Sequence, residues 1–427
     1  MIRTSIFSLL LATSLAATAQ LPQTNTAPTT ALNDPRTVKK YMNNLSYAFD
    51  PCVFTAKEFP AGSIQPAAAQ GVLGSIQVAV TFYNEKFEEV KTANTPGRFG
   101  AVVRITLGDG TKLVRFISLY RLPEGAASRT INLGKVKVPL ETGMDPAAAK
   151  RRNEEIGIAM KSGAANETGG AGFAMLLGLA KAMPGITPDQ LLGDLMGFMA
   201  QDDVWWYALK KKIGLQPSYL YFTQLPEGYE SATTKRWPLV LFLHGSGAIG
   251  TTPEQLKVTG VPHGLLGRKL PVIFVVPACP DRGWSAPALA QLLDEVSAKY
   301  RVDPDRIIVT GASMGGFGTW ALGGAYPERF SAIVPVCGGG NPNDGAKLSK
   351  LPVWAFHGQR DTTVPVMMSQ MMAAAIQKAG GTPHLTIYPE AAHNAWDQAY
   401  ATEALYTWML AQQRGKPEVK TSGVQGP

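Results

Sequence analysis

After Pro217 the chain falls into a rhythm of short apolar runs, most closed by glycine, proline or a polar residue: "YLYFTQLP", "WPLVLFLHG", "PVIFVVPAC", "RIIVTGAS", "SAIVPVCGG", "PVWAFHG" and "HLTIYPE". Several are apolar at consecutive positions, as a strand buried on both faces must be, so they predict a parallel sheet under helices. The helices fall between the runs. Leu289, Leu292, Leu293 and Val296 share one helical face, and the methionine-rich "VMMSQMMAAAIQKAGG" stops at Gly380-Gly381. Strands alternating with helices predict an α/β, doubly wound, mostly parallel domain over 217–413. Ligands of such sheets bind at the carboxyl ends of the strands, and that is where chemistry is to be sought.

Upstream the pattern changes. Near-alternation in "SIQVAVTFY" and "AVVRITLGDGTKLVRFISLY", with Gly108-Asp109-Gly110 where a hairpin turn would sit, predicts a β-rich domain over 61–144. Residues 145–216 turn helix-like, rich in Ala, Met and Leu; "AGFAMLLGLAKAM" is interrupted by Lys181 and stopped by Pro184, so it predicts a buried helix and no stable membrane insertion. Together these form a smaller α+β region ahead of the sheet. Residues 20–60 read as a flexible polar leader, and 414–427 as a disordered tail. Residues 1–19 carry Arg3, a short apolar run and Ala17-Thr18-Ala19, which predicts a cleaved signal peptide and a secreted or periplasmic protein.

Composition narrows the classes. The 427 residues are 45% hydrophobic and 17% charged, which is globular, and the net charge of +8 is scattered. Its densest groups, Arg151-Arg152 and Lys210-Lys211-Lys212, lie on helical stretches and read as solvated faces, so no nucleic-acid partner is expected. Three cysteines make no disulfide framework. Cys279 and Cys337, each ending an apolar run, read as buried free thiols in preference to a bridge.

The stretch "IIVTGASMGGFGTW" holds Ser313 between Gly311 and Gly315. In a chain with 44 glycines a G-x-S-x-G match alone says little, but this one follows a buried-strand pattern and opens a helix pattern. That is the setting of a nucleophile on a sharp strand–turn–helix elbow, where the turn strains the serine and a side chain at either glycine would collide with a neighbour. A serine hydroxyl needs a base. His393, on the loop after the last strand, suits it. His384 precedes that strand and reads as an ordinary surface residue, His263 lies in a Gly/Pro-rich loop without assignment, and His357 supports its local loop. Asp361, after the penultimate strand, suits the acid that orients the base; Glu390 and Asp397 are nearer in sequence but follow no strand end at the right place. The loop His244-Gly245-Ser246-Gly247 after "LVLFL" suits an oxyanion site. Its donors would be the backbone N–H groups of Met314 and of Ser246, in preference to Gly247, with His244 bracing the loop. No metal is expected, because no cluster has ligand spacing, and no cofactor.

These residues resemble the α/β-hydrolase superfamily, and more narrowly the exported esterases and predicted peptidases related to feruloyl and acetyl-xylan esterases (carbohydrate esterase family 1) and to dienelactone hydrolases. The resemblance covers about 217–413 and rests on "FLHGSG", "GASMGGFGTWALGGAYPERFSAIVPVCGG", "FHGQRDTTVP" and "HNAWDQAY". It implies a serine esterase with Ser313, Asp361 and His393 as triad, acting on carboxylic esters that extend to carbohydrate- or polymer-linked ones. Prolyl-oligopeptidase-type peptidases share the core, so peptide cleavage stays open, as does a polymer-binding protein with a vestigial core. Only "GGNPNDGAKLSKL" stands where many relatives insert a cap. The cleft is therefore open, or is closed by the preceding region or by the loop from Ala248 to Leu270. Trp284 is a candidate pocket wall or a packing residue. Trp205-Trp206-Tyr207 could stack on sugars, with helix packing the preferred reading.

Overall fold

A computed structural model describes residues 52–55, 59–60, 77–95, 97–106, 112–121, 129–133, 136–140, 188–215, 219–279 and 283–421. The stretches over 1–19 and "AGFAMLLGLAKAM", and Arg151-Arg152, lie outside these residues. Two compact units form, Met1–Ile158 and Ala159–Pro427.

In the first unit, Gln77–Asn84, Gly97–Thr106 and Lys112–Arg121 pair antiparallel in a five-stranded sheet, and Thr106 lies opposite Lys112 as the expected hairpin requires. Its buried side chains include Phe82, Phe99 and Val102. Part of the leader departs from expectation. Cys52–Thr55 runs parallel to Lys112–Arg121, and Phe59–Pro60 pairs with Thr92–Ala93. The apolar, partly β-branched "CVFT" suits a strand better than a solvated linker.

The second unit carries a seven-stranded sheet. Its strands are β1 (Leu220–Gln224), β2 (Trp237–Leu243), β3 (Ile273–Ala278), β4 (Val302–Ala312), β5 (Ala332–Val336), β6 (Trp354–Gly358) and β7 (His384–Tyr388). Spatial order is β1-β3-β2-β4-β5-β6-β7, with β1 antiparallel to β3 and every other pairing parallel. This is the α/β-hydrolase fold. The consecutive apolar runs have the burial they predicted: every residue of β3, β5 and β6 is buried. Leu239, Leu241, Ile273, Val275, Val309 and Ile333 feed the core on one face, and Val240, Phe242, Val276, Ile308, Val334 and Phe356 that on the other. Each such side chain contributes about 1.5–3 kcal/mol of burial.

Helices cover both faces. They include α1 (Pro188–Lys212), α2 (Ala286–Lys299), α3 (Met314–Ala325), α4 (Met367–Lys378) and α5 (Glu403–Ala411). Leu289, Leu292, Leu293 and Val296 of α2 are all buried, as their spacing predicted. α1 packs on α2: Tyr207 donates to Gln291 at 2.7 Å and Asp203 accepts from the Ala286 N–H at 2.9 Å. Trp205 and Trp206 are buried, edge to face at 5.0 Å, as packing residues. Among the described residues no helix is long and apolar enough to cross a membrane.

Three expectations fail here. His384 is buried, 8% exposed, and bonded to Glu418 at 2.6 Å. That glutamate also accepts from Trp408, while Gln412 and Val419 exchange two hydrogen bonds, so residues 414–421 are held against the domain and do not form a loose tail. His263 sits on the short helix Gly260–Gly267, not in a loop, with Nδ1 2.9 Å from the Lys257 carbonyl.

Candidate active site

Ser313 caps the start of α3 at φ 57°, ψ −118°, a left-handed conformation that costs a non-glycine residue about 1–3 kcal/mol. Neighbours hold it there. Its N–H donates to the Val336 carbonyl at 2.9 Å, and its own carbonyl accepts from Phe317 at 3.0 Å. The flanking glycines are required by contact. A Cβ at Gly311 would lie 2.6 Å from the carbonyl oxygens of Gly315 and Leu243, and one at Gly315 would fall inside the radius of the Leu243 carbonyl oxygen. Strand β2 thus passes so close to the elbow that no side chain fits.

Residues 313, 361 and 393 converge at the carboxyl rim of the sheet. His393 Nε2 is 2.8 Å from Ser313 Oγ, and His393 Nδ1 is 2.7 Å from Asp361 Oδ2. A carboxylate only accepts, so Nδ1 carries the ring proton and Nε2 is left as the acceptor facing the hydroxyl. Trp396 meets the imidazole edge to face at 5.2 Å. The two nearer acids are elsewhere: Glu390 pairs with Arg360, and Asp397 is exposed and accepts from Asn394.

Four donors surround the Asp361 carboxylate. Oδ1 accepts from the N–H groups of Thr363 and Val364 at 2.9 and 2.8 Å, and Oδ2 lies 3.3 Å from His357 Nε2 besides its bond to His393. Burial alone would raise this carboxyl, but the hydrogen bonds from His357, His393 and Val364 outweigh it and hold the group well below the usual carboxylate range. His357 was expected only to support its loop. It does so through Ser369 Oγ and the Val364 carbonyl, and it also reaches Asp361, a contact between strand and loop that no local pattern announces.

Cys337, His357 and Asp361 bring three potential ligand atoms within 4.8 Å of one another, a grouping their sequence spacing did not suggest. Its chemistry does not suit a metal. His357 Nε2 lies 2.8 Å from a carbonyl oxygen, an acceptor only, so that nitrogen keeps its proton. Burial, with Asp361 beside it, pushes the Cys337 thiol up to about 12. Cys279 and Cys337 are both buried, and no disulfide joins them.

The loop after β2 runs against the elbow: a Cβ at Gly245 would lie 3.3 Å from the Ala312 carbonyl and 3.5 Å from Ser313 Cβ. Ser246 and Met314 each open a helical turn, Ser246–Ala248 and α3, where first-turn N–H groups have no partner within the helix. His244 braces the loop from beneath. Its Nε2 accepts from the Cys279 N–H at 3.0 Å, so Nδ1 carries the proton and donates to the Gly245 carbonyl at 2.8 Å. Burial holds this imidazole below its ordinary pKa, which keeps it neutral.

Trp284 is 8% exposed and is better described as a brace than as a pocket wall. Its Nε1 donates to the His244 carbonyl at 3.1 Å, and its ring occupies the space beside Gly318, where a Cβ would come within 2.7 Å. It therefore touches the glycine loop on one side and α3 on the other. Tyr219 packs against it, tilted by 57° at 5.2 Å between ring centres, and accepts from the Ser285 N–H at 2.8 Å.

Residues 284–407 match the family model described as phospholipase/carboxylesterase. The chain is 37% identical over 151 residues to poly(3-hydroxyalkanoate) depolymerase C of Paucimonas lemoignei, covering 31% of this chain and 35% of that protein. It is 26% identical over 155 residues to a protein of Aspergillus terreus named "Probable feruloyl esterase C", covering 34% of this chain and 56% of the other. The chain thus spans about a third to a half of these two relatives. A crystal structure of a thermostable esterase aligns at 26% identity over 45% of this chain and 59% of that one, with a TM-score of 0.41.

Proposed function

We propose that this chain, in which residues 219–421 carry an α/β-hydrolase domain, is an exported serine hydrolase that cleaves carboxylic esters through an acyl-enzyme intermediate. One observation carries the reading: the unbroken relay Asp361–His393–Ser313, with bonds of 2.7 and 2.8 Å. Ser313 Oγ attacks the ester carbonyl while His393 Nε2 takes its proton, and Asp361 stabilises the imidazolium that results. The oxyanion is received by the N–H groups of Met314 and Ser246. His393 then protonates the leaving alcohol, and water repeats the sequence on the acyl-enzyme.

The relatives named for feruloyl esters and for poly(3-hydroxyalkanoate) support esters of bulky or polymeric alcohols and acids as substrates. A panel of p-nitrophenyl esters, feruloyl esters, a 3-hydroxybutyrate oligomer and chromogenic dipeptides tests this. Turnover of esters far above dipeptides is expected, and the reverse order would make the chain a peptidase. The pattern over residues 1–19 supports export, and N-terminal sequencing of the secreted protein is expected to begin at Gln20.

Trp284 acts by spacing the two oxyanion donors. Trp284→Phe keeps most of the packing and loses the bond to the His244 carbonyl. It is expected to lower kcat about tenfold to a hundredfold with KM little changed, because donors displaced by a fraction of an ångström fail mainly in the transition state. Equal falls in kcat/KM arising only from KM would instead make Trp284 a binding residue.

A further inference from the structure

We infer that the apolar part of the ester substrate rests on a methionine-lined surface formed by Met196, Phe317 and Met371, with Met196 supplied by α1 from outside the strand–helix core. This rests on the serine-hydrolase reading and adds to it a substrate class and the residues that select it.

The surface is tied to the triad by direct bonds. Phe317 stands one turn beyond Ser313 on α3 and donates its N–H to the Ser313 carbonyl at 3.0 Å. Val364, in the floor of the cluster, donates its N–H to Asp361 at 2.8 Å. Val364 and Met368 are buried, while Met196, Phe317 and Met371 pack on them half-buried. Gly339, just past β5, stands close beneath the floor: a Cβ there would lie 2.5 Å from Met368 Cε and 3.1 Å from Phe317 Cε1. The cluster therefore lies between the nucleophile's helix and the acid's loop, at the same rim of the sheet.

α1 reaches this place through a fixed seat. At Gly193 a Cβ would meet Asn343 Nδ2 at 2.6 Å, and at Gly197 it would lie 3.7 Å from Asn341 Nδ2. Asn341 and Asn343 belong to the short connection after β5. Gly193 lies three residues before Met196, so the close approach that this glycine allows fixes the register at which Met196 meets the Val364–Met368 cluster. The bond from the Ala286 N–H to Asp203 fixes the helix further along.

Half-exposed apolar side chains beside a nucleophile favour a substrate group that removes them from water. Three flexible or flat side chains accept an aliphatic chain or an aromatic ring with little rearrangement. Each methylene placed there is expected to raise kcat/KM up to about fourfold until the surface is covered. The occupant can come from the acyl or the alcohol side of the ester, and two substrate series separate these sources.

The full chain is assayed on p-nitrophenyl esters from acetate to octanoate and on n-alkyl acetates from ethyl to octyl, as wild type, Met196→Ser and Met371→Ser. Wild-type kcat/KM is expected to rise with chain length in one series, which identifies the side. In each variant the ratio for the longest to the shortest member of that series is expected to fall at least tenfold. Unchanged ratios, or equal losses on short and long substrates, overturn the inference. If Met196→Ser does not fold, by circular dichroism, Met196→Thr and Met371→Ser carry the same test. Labelling of wild-type Ser313 by diisopropyl fluorophosphate separates the two levels. A labelled, ester-cleaving wild type with unaltered ratios removes this inference alone, whereas an unlabelled wild type inert on both series removes the serine-hydrolase reading with it.

Discussion

Ser313→Ala is expected to lower kcat by about five to six orders of magnitude while leaving the fold intact. The side chain is small, and the bond holding the elbow runs through its backbone N–H to the Val336 carbonyl, which alanine preserves. Removing the nucleophile or its base from such a relay costs nearly as much as removing the whole relay, because the members act as a unit. His393→Ala should therefore match Ser313→Ala, and the double variant should be little worse. Asp361→Asn is expected to cost about four orders of magnitude, since the amide favours the wrong imidazole tautomer. A fluorophosphonate probe gives the independent measurement: the wild type is labelled and Ser313→Ala is not. Labelling of the alanine variant would show that another residue is the nucleophile.

Gly315→Ala is expected to prevent folding of the catalytic unit or to cost about 4 kcal/mol or more. The atom that an alanine would strike is the carbonyl oxygen of Leu243, the last residue of β2, which is paired on both sides, and sheet backbone cannot move aside as a flexible side chain can. A loss of that size lowers Tm by about 10 °C in a unit of this length. Gly247→Ala is the matched control, because a Cβ there meets nothing within 4 Å; its Tm should stay within about 2 °C of wild type. Equal stability of the two variants, read by thermal unfolding, would mean that β2 does not press on the elbow.

The strands and the candidate relay were legible because each rests on local pattern. A run buried on both faces has a characteristic apolar sequence, and a doubly wound sheet brings strand ends far apart in sequence to one rim. Ser313, Asp361 and His393 could thus be named before any distance was known. What escaped depends on contacts that periodicity does not encode. His384 opens β7 in a polar context, and the return of Glu418 together with the rings of Trp354 and Trp408 buries it. His357 gave a hint in its position after "PVWAF", but its reach to Asp361 depends on how the loop to Val364 folds back. Trp284 reads equally as wall or brace until the His244 carbonyl is found beneath its ring nitrogen. The strand Cys52–Thr55 was missed because four residues are too short for alternation to be recognised.

The seating of α1 also bears on how this protein can be dissected. A chain begun at residue 219, where the sheet starts, would keep every member of the Ser313–His393–Asp361 relay. It would lose the carboxylate that accepts from the first turn of α2 and the indoles of Trp205 and Trp206, and leave their contact surface bare. Such a fragment should tend to self-associate, and its smallest well-behaved form should begin upstream of Pro188.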